Sequence, residues 1–169
     1  LAEVPGLAEP MAYLRHIFAQ VDYHIQTEPV CEPGAGVDLV VAPISRPPRT
    51  STAELRQKMG VGPGQRVVLI TLGGIEGCIV VSDRLHEAKD MFFVIPGGAA
   101  EILRQVNMLL MPHQSSFYHP DLVHASDGVV GKPGYSTIAE TYAAGVPFAY
   151  LPRPRFREYP VLADYIEEK

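Results

Sequence analysis

The feature that most restricts the fold of this chain is the apolar run RVVLITL at residues 66–72. A run of aliphatic, largely β-branched residues is typical of a strand that is covered on both faces, as in a parallel sheet. Further short apolar segments follow at 91–95, 106–111, 128–130 and 148–151. Helical patterns separate several of them, and strands that alternate with helices predict an α/β fold: a doubly wound, Rossmann-like parallel sheet with right-handed crossovers.

The segments before this series predict a separate region. Residues 9–19 have apolar side chains at helical spacing, and a short strand is expected at 23–25. Proline and glycine then dominate 28–36 and 43–48, which is typical of a linker. We therefore expect residues 1–48 to be the tail of an N-terminal domain with an interdomain linker, and residues 49–169 to form the Rossmann-like domain. Helices are predicted in that second region at 51–59, 99–104, 120–125 and 136–144.

Charge and cysteine content exclude several classes of function. The formal net charge of −5 over 169 residues argues against a nucleic-acid binder, which needs clustered Lys and Arg. Cys31 and Cys78 are far apart, so neither a zinc knuckle nor a disulfide framework is expected, and a cytoplasmic location fits best. No apolar run approaches the roughly 20 residues of a membrane helix, so no transmembrane segment is expected.

Ligands of doubly wound sheets bind beyond the carboxyl ends of the strands, and three loops at these positions are rich in glycine. They contain Gly73-Gly74, Gly97-Gly98 and Gly131-Lys132-Pro133-Gly134. Glycine lets a backbone approach a ligand closely, and a helix that follows offers N–H groups to an anion. Each glycine pair taken alone is also compatible with a plain turn.

The third loop is the most specific of them, because a helix begins at Ser136 and Thr137 and carries Glu140 one turn further on. Two interpretations are open at this point. The helix start could hold a diphosphate while Glu140 binds a ribose. Alternatively, Ser136 or Thr137 forms a capping box and Glu140 is a solvated charge.

A resemblance to the nucleotide-binding signature of GT-B glycosyltransferases is carried by residues 119–160, HPDLVHASDGVVGKPGYSTIAETYAAGVPFAYLPRPRFREYP. The chain is similar in particular to the glycosyltransferase-like half of proteins of the L-arabinokinase type, and to glycosyltransferase family 28 C-terminal domains. More distant similarity extends to the peptidoglycan N-acetylglucosaminyltransferase and the UDP-glycosyltransferases. The matching elements are Pro120-Asp121-Leu122, Ala125-Ser126-Asp127, Gly131-Lys132, Gly134-Tyr135, Thr137, Glu140, Gly145-Val146-Pro147 and Pro152-Arg153, with Thr71-Leu72-Gly73-Gly74 upstream.

This resemblance implies that residues 49–169 form the donor-binding half of a GT-B fold and bind a nucleotide-diphosphate sugar such as a UDP-sugar. Glu140 would bind the ribose hydroxyls, and Lys132 could neutralise a phosphate. The diphosphate would be held by Gly134, Tyr135, Ser136 and Thr137, with Gly73 and Gly74 approaching from the facing loop. The resemblance also implies metal-independent transfer with no cofactor beyond the donor.

In such enzymes the acceptor and the usual general base come from the N-terminal domain. We therefore expect that domain to be a missing partner, the catalytic residue to lie outside this chain, and the fragment to transfer little sugar alone. Two alternatives remain open: an enzyme like the UDP-N-acetylglucosamine 2-epimerase, and a non-catalytic nucleotide-sugar-sensing domain.

Other polar residues of the signature have weaker expectations. The histidines at 113, 119 and 124 do not share a helical face, so loop or surface roles are expected and no metal site. Asp121 and Asp127 are expected at a helix start and in a turn before a strand, and not as an acid/base pair. Arg153 and Arg155 either contact a substrate or belong to an exposed proline-rich loop.

Overall fold

The computed structural model describes residues 6–72 and 83–169. The chain divides into two compact units, Leu1–Ala42 and Pro43–Lys169. In the first unit, helix α1 (Ala8–Phe18) precedes two short parallel strands, β1 (Ile25–Thr27) and β2 (Leu39–Val41). Residues 43–48, which the sequence assigned to a linker, belong to the second unit, and the assignment of 1–48 to a preceding domain stays a prediction.

The second unit is an α/β domain with a six-stranded sheet. Its elements are α2 (Thr52–Met59), β3 (Arg66–Thr71), a 3₁₀ turn (Asp83–Glu87), β4 (Met91–Pro96), β5 (Leu103–Gln105), β6 (Met108–Met111), α3 (His119–His124), β7 (Gly128–Gly131), α4 (Tyr135–Ala144), β8 (Phe148–Tyr150) and α5 (Tyr159–Glu168). The strand order is β5-β6-β4-β3-β7-β8, and all neighbours are parallel except β5 and β6. The predicted α/β class with a mostly parallel sheet is confirmed.

Side chains on both faces of the central strands are buried, as the apolar run at 66–72 predicts. Val67 and Leu69 of β3 pack with α2 and α3 residues, such as Met59 and Leu122, in one apolar cluster. The alternate residues Val68 and Ile70 pack against the other cluster, which contains Ile95 and Met108. Successive residues of a strand point to opposite faces, so this alternation requires cover on both sides of the sheet.

Helix α2 begins and ends where its sequence predicts. The Ser51 hydroxyl accepts a hydrogen bond from the Glu54 backbone N–H at 3.3 Å, and Gly60 closes the helix in the left-handed conformation with φ of 80°. A serine at the N-cap satisfies an N–H that the helix itself cannot pair, and glycine adopts the left-handed conformation without a Cβ clash.

The helix predicted at 99–104 is wrong, because Leu103–Gln105 forms the antiparallel edge strand β5 against β6. The Arg104 guanidinium donates to the carbonyl oxygens of Met59 and Lys58, at 2.5 and 2.6 Å. These carbonyls end helix α2, where Arg104 satisfies acceptors that the helix leaves unpaired. Tertiary contacts therefore decide the conformation of this segment.

Helix α5 was not predicted from the sequence, where the last predicted helix is the one at 136–144. Its buried side chains are Leu162, Ala163 and Tyr165, and Pro160 stands in its first turn, where proline is tolerated. Leu162, Tyr165 and Ile166 have the i, i+3, i+4 spacing of a helix, so the signal was present. Within the described ranges, no helix has the length and hydropathy needed to cross a membrane.

Candidate functional site

The strand order of the sheet changes direction at β3, which has β4 on one side and β7 on the other. In sheets of this kind a crevice forms outside the carboxyl ends of the strands that flank the change. Thr71 ends β3 and lies opposite Gly131, which ends β7. A Cβ at Gly131 would lie 2.4 Å from the Thr71 carbonyl oxygen, so glycine is required for this close approach.

Helix α4 begins directly beyond this edge, at Tyr135, with Gly134 as its N-cap residue. No side chain of the described residues caps this helix start, so the capping box that Ser136 or Thr137 could have formed is not present. Ser136 and Tyr135 are exposed, whereas Thr137 is buried. The first turn of α4 thus lies at the carboxyl edge of the sheet, which is the position at which the sequence predicts a diphosphate site.

Glu140 lies one turn further along α4, and it is buried rather than solvated. Its Oε2 accepts a hydrogen bond from His119 Nδ1 at 2.5 Å, and its Oε1 accepts one from Arg46 Nη2 at 3.3 Å. Burial opposes ionisation of this carboxyl, but the hydrogen bonds and charges of His119 and Arg46 outweigh it, and the pKa of Glu140 is lowered from its ordinary value. Glu140 is therefore an ionised carboxylate at neutral pH.

His119 connects Glu140 to the end of β3. An ionised carboxylate only accepts hydrogen bonds, so Nδ1 of His119 carries a proton. The other ring nitrogen, Nε2, lies 3.3 Å from the Thr71 hydroxyl oxygen. The expectation of a loop or surface role for His119 is wrong, because its ring is held between α4 and β3. Sequence spacing missed the pair, since residues 119 and 140 belong to different helices that meet only in the fold.

Lys132 and Arg153 bring two positive charges together at the same edge, in the loops that follow β7 and β8. Burial and the repulsion by Arg153 lower the pKa of Lys132 from its ordinary value. Within residues 6–72 and 83–169 neither side chain forms an ion pair, and the Arg153 guanidinium stacks over the Phe156 ring at 4.8 Å. Two cations without a neutralising carboxylate are an arrangement that favours an anion.

A cavity of about 380 Å³ lies next to Arg153 and is lined by Arg153, Pro154, Arg155 and Phe156. A second cavity, of about 420 Å³, lies between the later turns of α4 and helix α5, with Ile138, Tyr142 and Tyr165 in its wall. Glu140 lines neither of these cavities. Gly73 and Gly74, which were expected to face the donor from the opposite loop, lie outside the described residues.

The remaining polar residues of the signature are structural in their contacts. The carboxylate of Asp121, in the first turn of α3, accepts hydrogen bonds from the backbone N–H groups of Arg49 and Thr50, at 2.6 and 3.3 Å. Asp127 accepts from the backbone N–H of Val67 at 2.7 Å and pairs with Arg56 at 2.8 Å. No group of three His, Cys, Asp or Glu that could hold a metal ion occurs in the part of the chain that the structure describes.

Comparison with known proteins shows which sequences and structures this chain is similar to. No protein-family model matches the chain. It is 27% identical over 152 residues to L-arabinokinase of Arabidopsis thaliana, an alignment that covers 89% of this chain and 14% of that protein. Its structure is similar to that of the glycosyltransferase SnogD from Streptomyces nogalater, with a TM-score of 0.52, 19% identity, and 92% of this chain and 46% of that chain covered.

The structure is also similar to that of the calicheamicin glycosyltransferase CalG4, with 16% identity and a TM-score of 0.47. That match covers 99% of this chain and 45% of the CalG4 chain. The chain thus spans a small part of L-arabinokinase and about half of the glycosyltransferase chains. The fold shared with SnogD and the sequence similarity to L-arabinokinase confirm the resemblance to the C-terminal domain of a GT-B glycosyltransferase.

Proposed function

From the premise of a GT-B glycosyltransferase fold, we propose that this chain is the part of a glycosyltransferase that binds a nucleotide-diphosphate sugar, with UDP as the expected nucleotide. The observation that carries the proposal is the position of Glu140: a buried, ionised carboxylate one turn from the start of α4, at the carboxyl edge of the sheet. In this proposal, Glu140 accepts hydrogen bonds from the ribose hydroxyls.

The diphosphate lies at the first turn of α4, against the backbone of Gly134, Tyr135, Ser136 and Thr137. A helix N-terminus attracts anions through its N–H groups and its dipole. Lys132 and Arg153 add two positive charges beside this turn, and the anion relieves their mutual repulsion. When the sugar leaves the donor, the same groups stabilise the departing diphosphate, so the proposed transfer needs no metal ion.

Calorimetric titration with UDP tests the anion site. We expect Lys132→Met to weaken UDP binding about tenfold, since hydrogen bonds to charged groups contribute roughly that much. Lys89→Met is the matched control, because Lys89 is an exposed lysine that precedes β4 at the opposite edge of the sheet. Equal affinities for the native chain and Lys132→Met would remove Lys132 from the site. No binding of UDP, GDP or TDP would overturn the proposal.

We further propose that the chain transfers little sugar alone, because the acceptor and the general base belong to a preceding domain. Exposed apolar side chains in the first unit support this, among them Tyr13, Leu14 and Phe18 of α1 at 64%, 50% and 66% exposure. The expected result is no release of UDP from UDP-glucose or UDP-galactose above the uncatalysed rate. Transfer to an added acceptor by the chain alone would contradict this part.

A further inference from the structure

Access to the Glu140 carboxylate is closed by its own partners. The side chain is 6% exposed, with Arg46 on one oxygen and His119 on the other. A ribose that is to reach this carboxylate must therefore take the place of one of them. The inference that follows rests on the proposed function and concerns which partner leaves.

Arg46 is held much less firmly than His119. Its Nη2 lies 3.3 Å from Glu140 Oε1, long for a charge-assisted hydrogen bond, and its side chain is 65% exposed. It belongs to the segment 43–50, which is neither helix nor strand. His119, in contrast, is 2.5 Å from Oε2, stands on helix α3, is 29% exposed and has its second nitrogen near Thr71.

Arg46 also has a second partner, the Tyr118 ring, which remains nearby after the ion pair with Glu140 is broken. Its guanidinium lies 5.2 Å from the centre of the Tyr118 ring, where a cation is attracted to the aromatic face. Arg49 lies over the same ring at 4.0 Å, and its backbone N–H is bound by Asp121. The ring and solvent can therefore take up the guanidinium with little movement of the backbone.

We propose that Arg46 is exchanged for ribose hydroxyls when a nucleotide binds. In the free protein Arg46 pairs with Oε1 of Glu140. In the complex the hydroxyl groups donate to that oxygen, while His119 keeps Oε2 and the carboxylate stays ionised. A sugar without these hydroxyls cannot replace the guanidinium, and Arg46 stays on Glu140 when it binds, because its departure would leave a buried charge unpaired on that side. Arg46 thereby competes with the ribose hydroxyls and lowers the preference of the site for ribose.

The test compares the affinities of UDP and 2′,3′-dideoxyuridine 5′-diphosphate, measured by calorimetry on the full 169-residue chain. Arg46→Met keeps the length of the side chain but removes its donors and charge. We expect this variant to increase the ratio of UDP affinity to dideoxy affinity about two- to fivefold, which is roughly what a largely exposed ion pair contributes. The ratio isolates the ribose, because lost attraction for phosphate affects both nucleotides equally.

Arg49→Met is the matched control, since it removes a positive charge from the same aromatic ring without touching Glu140. Its affinity ratio should equal that of the native chain. An unchanged ratio in Arg46→Met, while both proteins bind UDP, would overturn the exchange and leave the proposed function standing. Failure of native and Arg46→Met chains alike to bind UDP would overturn both.

Discussion

The two edges of the six-stranded sheet use charge in opposite ways. At the amino edge, the Asp127 carboxylate accepts a hydrogen bond from the Val67 backbone N–H, which connects the start of β7 to β3. The same carboxylate forms an ion pair with Arg56. At the carboxyl edge, Lys132 and Arg153 repel each other, and Glu140 is shared between a well-held histidine and an exposed arginine. Charges at the first edge pair with one another within the fold, whereas we propose that those at the second serve a ligand.

The largest expected effect concerns Glu140, for which we propose a role in both stability and binding. Glu140→Gln keeps an oxygen for His119 but loses the charge, and we expect a loss of about 2 kcal/mol in the free energy of unfolding at neutral pH. Urea denaturation of native and variant chains measures this difference. UDP affinity should also decrease, and a variant with native stability would show that the carboxylate is not an ionised partner of His119.

The pair of Glu140 and His119 also predicts how the stability of the folded chain depends on pH. Because the pKa of Glu140 is lowered in the folded chain, its contribution is fully present above the ordinary value of 4.5 and is lost as pH decreases through the folded-state value. The difference in unfolding free energy between native and Glu140→Gln chains should therefore shrink as the pH decreases below the ordinary value of 4.5. A difference that grows toward acid would contradict the ionised assignment.

At the amino edge we expect an effect on stability alone. Asp127→Ala removes the acceptor of the Val67 N–H and the Arg56 partner, and because its side chain is 40% exposed the expected loss is about 1 kcal/mol. Asp90→Ala is the control, since Asp90 pairs with Arg66 at the same edge while both side chains are about two-thirds exposed. It should cost only a few tenths of a kcal/mol. Weaker UDP binding by Asp127→Ala in its folded state would break the distinction between the edges.

The smallest effect has the opposite sign. Lys132→Met relieves the repulsion by Arg153 and the cost of burying a charge, so we expect the free protein to gain up to about 0.5 kcal/mol while UDP binding weakens. Thermal melts with and without UDP separate the two effects, because a ligand that binds only the folded state raises the melting temperature. A destabilised free protein would show that Lys132 serves the fold.

Much of the fold was predictable because its signals are local. The apolar content of residues 66–72 indicates a strand, and Ser51 and Gly60 mark the two ends of α2. The start of α4 and the place of Glu140 on it were predictable for the same reason. Segments that depend on distant partners were not: β5 is held by Arg104 at the end of α2, and no local pattern in 99–105 reveals that contact.

The amino-acid sequence alone determined the alternation of strands and helices and the resemblance to GT-B glycosyltransferases, since both depend on neighbours along the chain. Only the tertiary structure decided that Glu140 is buried and charged, because its partners Arg46 and His119 are 94 and 21 residues away. Burial and pairing are properties of residues that folding brings together, and the electrostatics of this site follows from them.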